Sequence, residues 1–360
     1  MINSLRITFV LPFAGTYPCG GPKVVYEYAN GLTRKGHLVT VVHPALTRAD
    51  MPWINHAKAA IRYLQRSIDG TYRPNKWFKV DEKVRLTWAP SLAQRYIPDA
   101  DVIVATAWET AEVVARWAKG KGRPFYLLQG LETWAGPEER VLATWKLPLK
   151  KIAVSRWLRD IASDMGESSI LIPNGLDFRR YGVDTNPRDR NSSQCMMLYH
   201  THAWKGSADG LEAMTIVKQE IPDFRAILFG VSPPPPRLPD WIEYYRLPEQ
   251  ATLRRLYNEA SIVIAPSWTE GWGLTASEAM MCGAAVVATD VGGHREFAFH
   301  GRTALVSPPK NPSLLAANIL RLIREPELRI SLAIAGNACI QQFTWEKAVE
   351  QFEHALIQSV

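Results

Sequence analysis

Short runs of consecutive apolar residues alternate along the chain with stretches in which apolar residues return every three or four positions. Residues 5–12 (LRITFVLP) form the first run and stop at Pro12 and Gly15. Val24, Val25, Tyr28, Ala29 and Leu32 then fall at helical spacing before Gly36. Runs at 38–43, 84–89, 101–107, 125–129 and 150–154 repeat the theme, with helical stretches between several of them. Strands that are apolar on both faces, separated by helices, are what a parallel sheet covered on both sides requires. A second series follows the ILIPNG turn at 170–175. Its strands are expected at 196–200, 225–230, 241–246, 261–266, 284–289 and 303–307, and its helices near 207–219, 250–259, 273–282 and 312–324. The spacing predicts an α/β fold of two consecutive units, the first covering 1–168 and the second starting at 169. Residues 51–83 are too irregular to assign, and the proline run at 232–239 reads as a stiff surface connection.

Length agrees, since 360 residues exceed what one core usually holds. The 47% hydrophobic and 21% charged residues exclude a disordered or coiled-coil chain. Cys19, Cys195, Cys282 and Cys339 lie far apart, which excludes a zinc ribbon or a disulfide framework and suggests a reduced, cytoplasmic protein. No apolar run approaches the roughly 18–20 residues of a membrane span, and the opening MINSLRITFVLPFAG lacks a basic leader, so it reads as a strand rather than a signal peptide. Charge changes the picture once it is divided. Residues 1–168 hold 24 Lys and Arg against 15 Asp and Glu, or +9, whereas 169–360 hold 18 against 20, or −2. A one-sided basic surplus fits nucleic acid, an acidic membrane surface or an acidic substrate, and equally a solvated surface without a partner.

The densest chemistry lies at 261–283, SIVIAPSWTEGWGLTASEAMMCG. A strand ends at Pro266, a loop carries Glu270 and two glycines, and a helix starts near 273–275. Ligands of open α/β sheets sit at such carboxyl ends, against the next helix N-terminus. Gly273 has no side chain to obstruct a phosphate, and the first amides of the helix, at Gly273, Leu274 and Thr275, point outward with the positive end of its dipole. Glu270 in the loop and Glu278 in the second turn bracket that start, and carboxylates are natural acceptors for paired sugar hydroxyls.

The segment EGWGLTASEAMMCGAAVVATDVGG (270–293) resembles the E-x7-E region of retaining glycosyltransferase family four, whose GT-B fold sets two Rossmann-like domains about a central cleft. GGPKVVYEYANGLTRKGHLVTVV (20–42) resembles that family's first glycine loop and helix, IAVSRWLRD with ILIPNGLD its interdomain passage, and KGSADGLEAM (205–214) the helix after its phosphate-binding lysine. FTWEKAVEQF (343–352) resembles its closing helix. The resemblance implies a donor domain at 169–342 and a helix in 343–360 that returns to the acceptor-side domain. It implies that Glu270 meets donor sugar hydroxyls, Glu278 the ribose, the amides of Gly273, Leu274 and Thr275 the distal phosphate, and Lys205 the diphosphate. Gly21 would let the first domain's helix approach the donor, and Leu247, in Arg246–Leu247–Pro248, would lie near the base.

The pattern departs in two places. The arginine that usually precedes the lysine is replaced by His200, with His202 nearby; it is either a weaker neutraliser or a structural residue. Where many members place a histidine, Gln129 stands, which cannot titrate. Glu132 is a candidate acceptor-side carboxylate, and Trp108 and Trp134, which follow strand ends, are candidates for stacking on a sugar. Asp99-Ala-Asp101 precedes a strand, the wrong end for a metal site, and no Walker loop is complete. The expectation is a metal-independent retaining hexosyl- or deoxyhexosyltransferase, with no cofactor, that uses a nucleotide-sugar donor and a hydroxyl acceptor in polysaccharide or glycolipid assembly. The basic surplus is assigned to an anionic or lipid-linked acceptor and to peripheral contact with the inner membrane face, not to nucleic acid. The rivals are epimerase or phosphorylase chemistry on the same fold, and a basic binding module on an inactive scaffold.

Overall fold

The structure is a computed structural model that describes residues 4–117 and 119–358. The chain forms two compact units, Met1–Gly175 with Trp345–Val360, and Leu176–Thr344. The first unit runs β1 (Arg6–Val10), α1 (Gly20–Arg34), β2 (Leu38–Pro44), α2 (Trp53–Asp69), β3 (Arg85–Ala89), β4 (Val102–Ala105), α3 (Trp108–Val114), β5 (Arg123–Leu128), α4 (Glu138–Trp145), β6 (Lys150–Ala153), α5 (Arg156–Asp164) and β7 (Ser169–Leu171). The second runs β8 (Gln194–Leu198), α6 (Ser207–Glu220), β9 (Arg225–Gly230), β10 (Ile242–Arg246), α7 (Gln250–Glu259), β11 (Ile262–Ala265), α8 (Leu274–Met281), β12 (Ala285–Thr289), β13 (Leu305–Ser307), α9 (Pro312–Arg324) and α10 (Pro326–Ile340). The chain ends in α11 (Trp345–Ile357), which belongs to the first unit.

Both sheets are parallel, in the orders β3-β2-β1-β4-β5-β6-β7 and β10-β9-β8-β11-β12-β13. Each reverses its winding once, between β1 and β4 and between β8 and β11. The crevice at the carboxyl ends beside such a reversal is where open α/β sheets place ligands. The central strands are apolar on both faces, and β4, β11 and β12 are buried along their whole length, as a sheet covered on both sides demands. The expected break at 168 falls just before β7, which pairs with β6 (Ile152↔Ile170) and so extends the first sheet.

The closing helix α11 is held on α1 by packing and charge together. Phe352 stacks between Phe9 and Tyr28, at 5.9 and 4.3 Å between centroids. A Cβ at Gly31 would lie 2.4 Å from Val349, so the two helices approach more closely than an alanine would allow. Glu353 accepts from Lys35 at 2.7 Å and pairs with His37 at 2.9 Å.

Candidate active site

The chain leaves β8 through a short turn that carries His200, His202, Trp204 and Lys205 before α6. It leaves β11 through residues 266–273 before α8. These two exits flank the reversal of the second sheet, so the local strand–turn–helix sequence alone brings Lys205 and Glu270 together. Lys205 Nζ donates to Glu270 Oε1 at 2.7 Å, and Ser267 Oγ donates to the same oxygen at 2.8 Å. Two glycines permit this arrangement. Gly206 has φ +65°, and a Cβ there would stand 2.0 Å from the Pro266 carbonyl oxygen. Gly273 has φ +100°, and its Cβ would meet the His294 imidazole at 2.4 Å. Both carry the left-handed backbone that a glycine adopts without steric cost.

No side chain caps the α8 N-terminus at Gly273, which leaves its first amides open to an anionic ligand. His294 is fully enclosed; its Nδ1–H donates to the Thr289 carbonyl at 3.0 Å, which turns Nε2 toward Gly273. Burial keeps that imidazole below its usual pKa. Burial pushes the Glu270 carboxyl upward, but the Lys205 ammonium, followed by His294 and Ser267, more than reverses this and holds it below the ordinary carboxylate range. Glu270 is therefore an ionised acceptor beside a cation.

His200 lies next to this pair. Its Nδ1 accepts the His202 N–H at 3.0 Å, and His202 stacks in turn on Trp204, 4.1 Å between ring centroids. Burial, then His202 and Lys205, depress the His200 pKa to about 4 against an opposing pull from Glu270, so the ring is neutral at pH 7. Trp268 closes the rim: its Nε1 donates to Asp209 at 2.6 Å, and Lys310 stands 4.4 Å from its ring centroid.

Glu278 is buried deeper along α8, where it accepts from the Tyr257 hydroxyl at 3.3 Å. Leu247, just after β10, has φ +49° and is exposed, and its N–H donates to the Gly230 carbonyl at 2.8 Å. The structure thus gathers Lys205, Glu270, His200 and Gly273 at one switch point, with Leu274 and Thr275 opening α8, and leaves Glu278 and Leu247 farther along their own elements. Ser267, Thr289 and His294 are the residues that sequence reasoning missed. The Gly-Gly-His that follows β12 was their one visible signal.

In the first unit, the candidates sit at the carboxyl ends of β1, β4 and β5. A Cβ on Gly21, in the first turn of α1, would stand 3.6 Å from Gln129 Nε2, an ordinary contact, and Gln129 itself donates to the Thr106 carbonyl at 3.2 Å. Glu132 takes a left-handed backbone (φ +59°) and accepts from the Trp108 N–H at 2.8 Å and the Tyr126 hydroxyl at 3.4 Å. Burial, with a smaller push from Glu109, raises its pKa to about 8. Trp108 does not offer a stacking face. Its ring is wholly buried beneath Gly136, with the Arg48 and Arg140 guanidinium carbons 5.2 and 5.4 Å from its centroid. Trp134 is more than one-third exposed. Asp99 and Asp101 are engaged by Lys121 and Arg6. Among the described residues, no three His, Cys, Asp or Glu side chains converge in a metal-binding group.

Known proteins resemble the second unit and the fold as a whole. Residues 195–325 match the family described as Glycosyl transferases group 1. Over 379 aligned residues, covering 96% of this chain and 95% of the relative, the chain is 24% identical to a phosphatidyl-myo-inositol mannosyltransferase of Mycobacterium tuberculosis. Sucrose-phosphate synthase of Thermosynechococcus elongatus shares the fold with a TM-score of 0.75 at 18% identity, covering 98% of each chain. An Anabaena protein solved in complex with UDP-glucose does so with a TM-score of 0.74 at 19% identity, over 99% of this chain and 100% of that one.

Proposed function

We propose, on the premise that this chain belongs to the group 1 glycosyltransferases and has the GT-B fold, that it carries a hexosyl or deoxyhexosyl group from a nucleoside diphosphate to a hydroxyl acceptor with retention at the anomeric carbon. The observation that supports the donor side of this reading is the Lys205–Glu270 pair beside the uncapped, glycine-headed start of α8. As the glycosidic bond breaks, negative charge grows on the departing diphosphate, and groups already aimed at that charge lower the barrier. Lys205 supplies a positive charge, and the amides at Gly273, Leu274 and Thr275 supply dipoles aimed at the departing diphosphate.

Glu270, held ionised, accepts hydroxyl hydrogens of the donor sugar, and Glu278 accepts those of the ribose. A donor phosphate oxygen takes the proton of the acceptor hydroxyl. Gln129 contributes a hydrogen bond and no base. The acceptor is anionic or lipid-linked, which fits the basic first half of the chain. The mycobacterial relative, a phosphatidyl-myo-inositol mannosyltransferase, and the Anabaena neighbour solved with UDP-glucose set the first substrates to try.

Thermal shift against a series of nucleoside diphosphates identifies the base, because a ligand that binds only the folded state raises the transition. The anomeric coupling in the NMR spectrum of the product then tests the reaction. A retained anomer supports the reading, and an inverted one overturns it. Conversion of the donor to its epimer without any acceptor would move the assignment from transfer to epimerisation.

A further inference from the structure

One helix of the first unit is mounted with its apolar side away from the protein. At about 3.6 residues per turn, Asn55, Ala59, Tyr63 and Arg66 of α2 share one side, and this is the side that faces the unit: Ala59 is the buried residue of the helix. Tyr63 stacks on Trp88 at 6.1 Å, its carbonyl accepts the Trp88 Nε1–H at 3.0 Å, and Arg66 stands 5.9 Å from the same ring. These contacts fix the rotation of the helix about its axis. The opposite arc, roughly 100° wide on the same spacing, consists of Trp53, Ile54, Ile61, Leu64 and Ile68. They are 79, 42, 58, 63 and 88% exposed. An amphipathic helix normally turns such an arc to the core, as α1 does with Val24, Val25, Tyr28 and Leu32. A contiguous apolar stripe left in water indicates that something else covers it.

Charge selects the occupant. Lys58 and Arg62 stand exposed along one border of the arc, and between residues 53 and 79 the chain carries Lys58, Arg62, Arg66, Arg73, Lys76 and Lys79 against Asp69 as its one acid. A second copy of the chain would bring a like-charged border against this one. An anionic bilayer surface offers opposite charge at the border and acyl chains beneath the stripe, and this combination is what holds interfacial helices in place. We propose that α2 is a membrane-docking element, which lies in the plane of an anionic lipid surface with Trp53, Ile54, Ile61, Leu64 and Ile68 below the headgroups and Lys58 and Arg62 among them. The surface is independent of the donor chemistry, so its failure would leave the transferase reading intact.

Co-sedimentation of the full chain with phosphatidylcholine vesicles, with and without phosphatidylglycerol, tests this, with light scattering of the lipid-free chain in parallel. The chain should partition onto the anionic vesicles, and less so as salt rises. Leu64→Gln with Ile68→Gln should weaken partition about tenfold or more. Lys58→Gln with Arg62→Gln should weaken it about fivefold per charge removed. Both pairs are exposed, and unchanged circular dichroism and donor thermal shift would show that the variants fold. Three results would overturn the proposal: no partition onto phosphatidylglycerol vesicles, partition indifferent to the Leu64/Ile68 variant, or a dimer in solution that this variant dissolves.

Discussion

Glu132 and Glu270 both follow the carboxyl end of a strand, one beyond β5 and the other beyond β11, and both are part-buried. Their protonation states are opposite. Glu270 shares an oxygen with Lys205 Nζ and Ser267 Oγ and stays ionised. Glu132 accepts from two neutral donors, the Trp108 amide and the Tyr126 hydroxyl, and its pKa rises to about 8. Burial acts in the same direction on both; a cation at 2.7 Å decides the outcome in one. Net charge runs the other way. The proton-bearing carboxyl lies in the basic first half and the ionised one in the nearly neutral second half, so overall charge says little about the field at a particular side chain.

The comparison breaks most directly at Lys205. Lys205→Ala removes the cation proposed to face the diphosphate and leaves only His294 and Ser267 to oppose the burial of Glu270. Turnover should fall about 100- to 1000-fold, and the acid limb of the residual rate should move to higher pH than in the wild type, because burial then acts on Glu270 without the Lys205 charge. A pH profile of kcat at saturating donor checks both. A profile whose acid limb stays in place would mean that Lys205 does not hold the Glu270 charge.

Isosteric changes sharpen the division of roles within the second unit. Glu270→Gln should lower kcat more than it raises the donor KM, and Glu278→Gln should do the reverse, each by roughly 10- to 100-fold in the affected parameter. Initial rates over a donor series separate the two, and equal effects on both parameters in both variants would refute the assignment.

Glu132→Gln addresses the first unit through stability. A carboxyl whose folded pKa lies above its unfolded value contributes stability that is complete below the unfolded value and is lost as pH climbs through the folded one. The window therefore runs from the ordinary carboxylate range up to about 8, with a slope of at most about 1.4 kcal/mol per pH unit. Chemical denaturation across that range should show the wild type weakening relative to the variant, since glutamine can accept the same two hydrogen bonds. Parallel stability curves would mean that Glu132 is ionised after all. The smallest effect is expected from His200→Arg, which replaces a neutral ring by a permanent charge beside the Lys205–Glu270 pair. The donor KM should drop several-fold, and a rise would show that the His200–His202–Trp204 stack matters more than the charge.

Much of this architecture was legible because buried parallel strands are short apolar runs, and such runs are conspicuous. The same is true of Lys205, Glu270 and Gly273, each of which stands directly after a strand and before a helix. What escaped has physical causes. α2 lies in the unassigned 51–83 stretch, where its polar side faces the protein and its apolar side faces out. β7 is three residues long, too short for periodicity. α9 and α10 are separated by Glu325 alone, which hides the second helix behind the first. His294 reaches Gly273 only through tertiary packing, as the β12–β13 connection folds back over the loop after β11. Trp108 was misplaced because a large aromatic after a strand looks like a surface residue; it opens α3, and the small Gly136 lets its ring sink into the core.

The first and last residues of the second unit lie side by side: the Leu176 N–H donates to the Phe343 carbonyl at 3.0 Å, and Leu176 bridges Thr344. A segment whose ends meet is, topologically, a very long insertion into one loop of its host. The entropy of closing such a loop grows only with the logarithm of its length, so the host fold is scarcely taxed by the size of its guest. Replacing 176–344 by a short linker should leave the first sheet with its closing helix still in place. The excised piece, with both its ends already pinned together, forms a natural cassette that can be exchanged without redesigning its host.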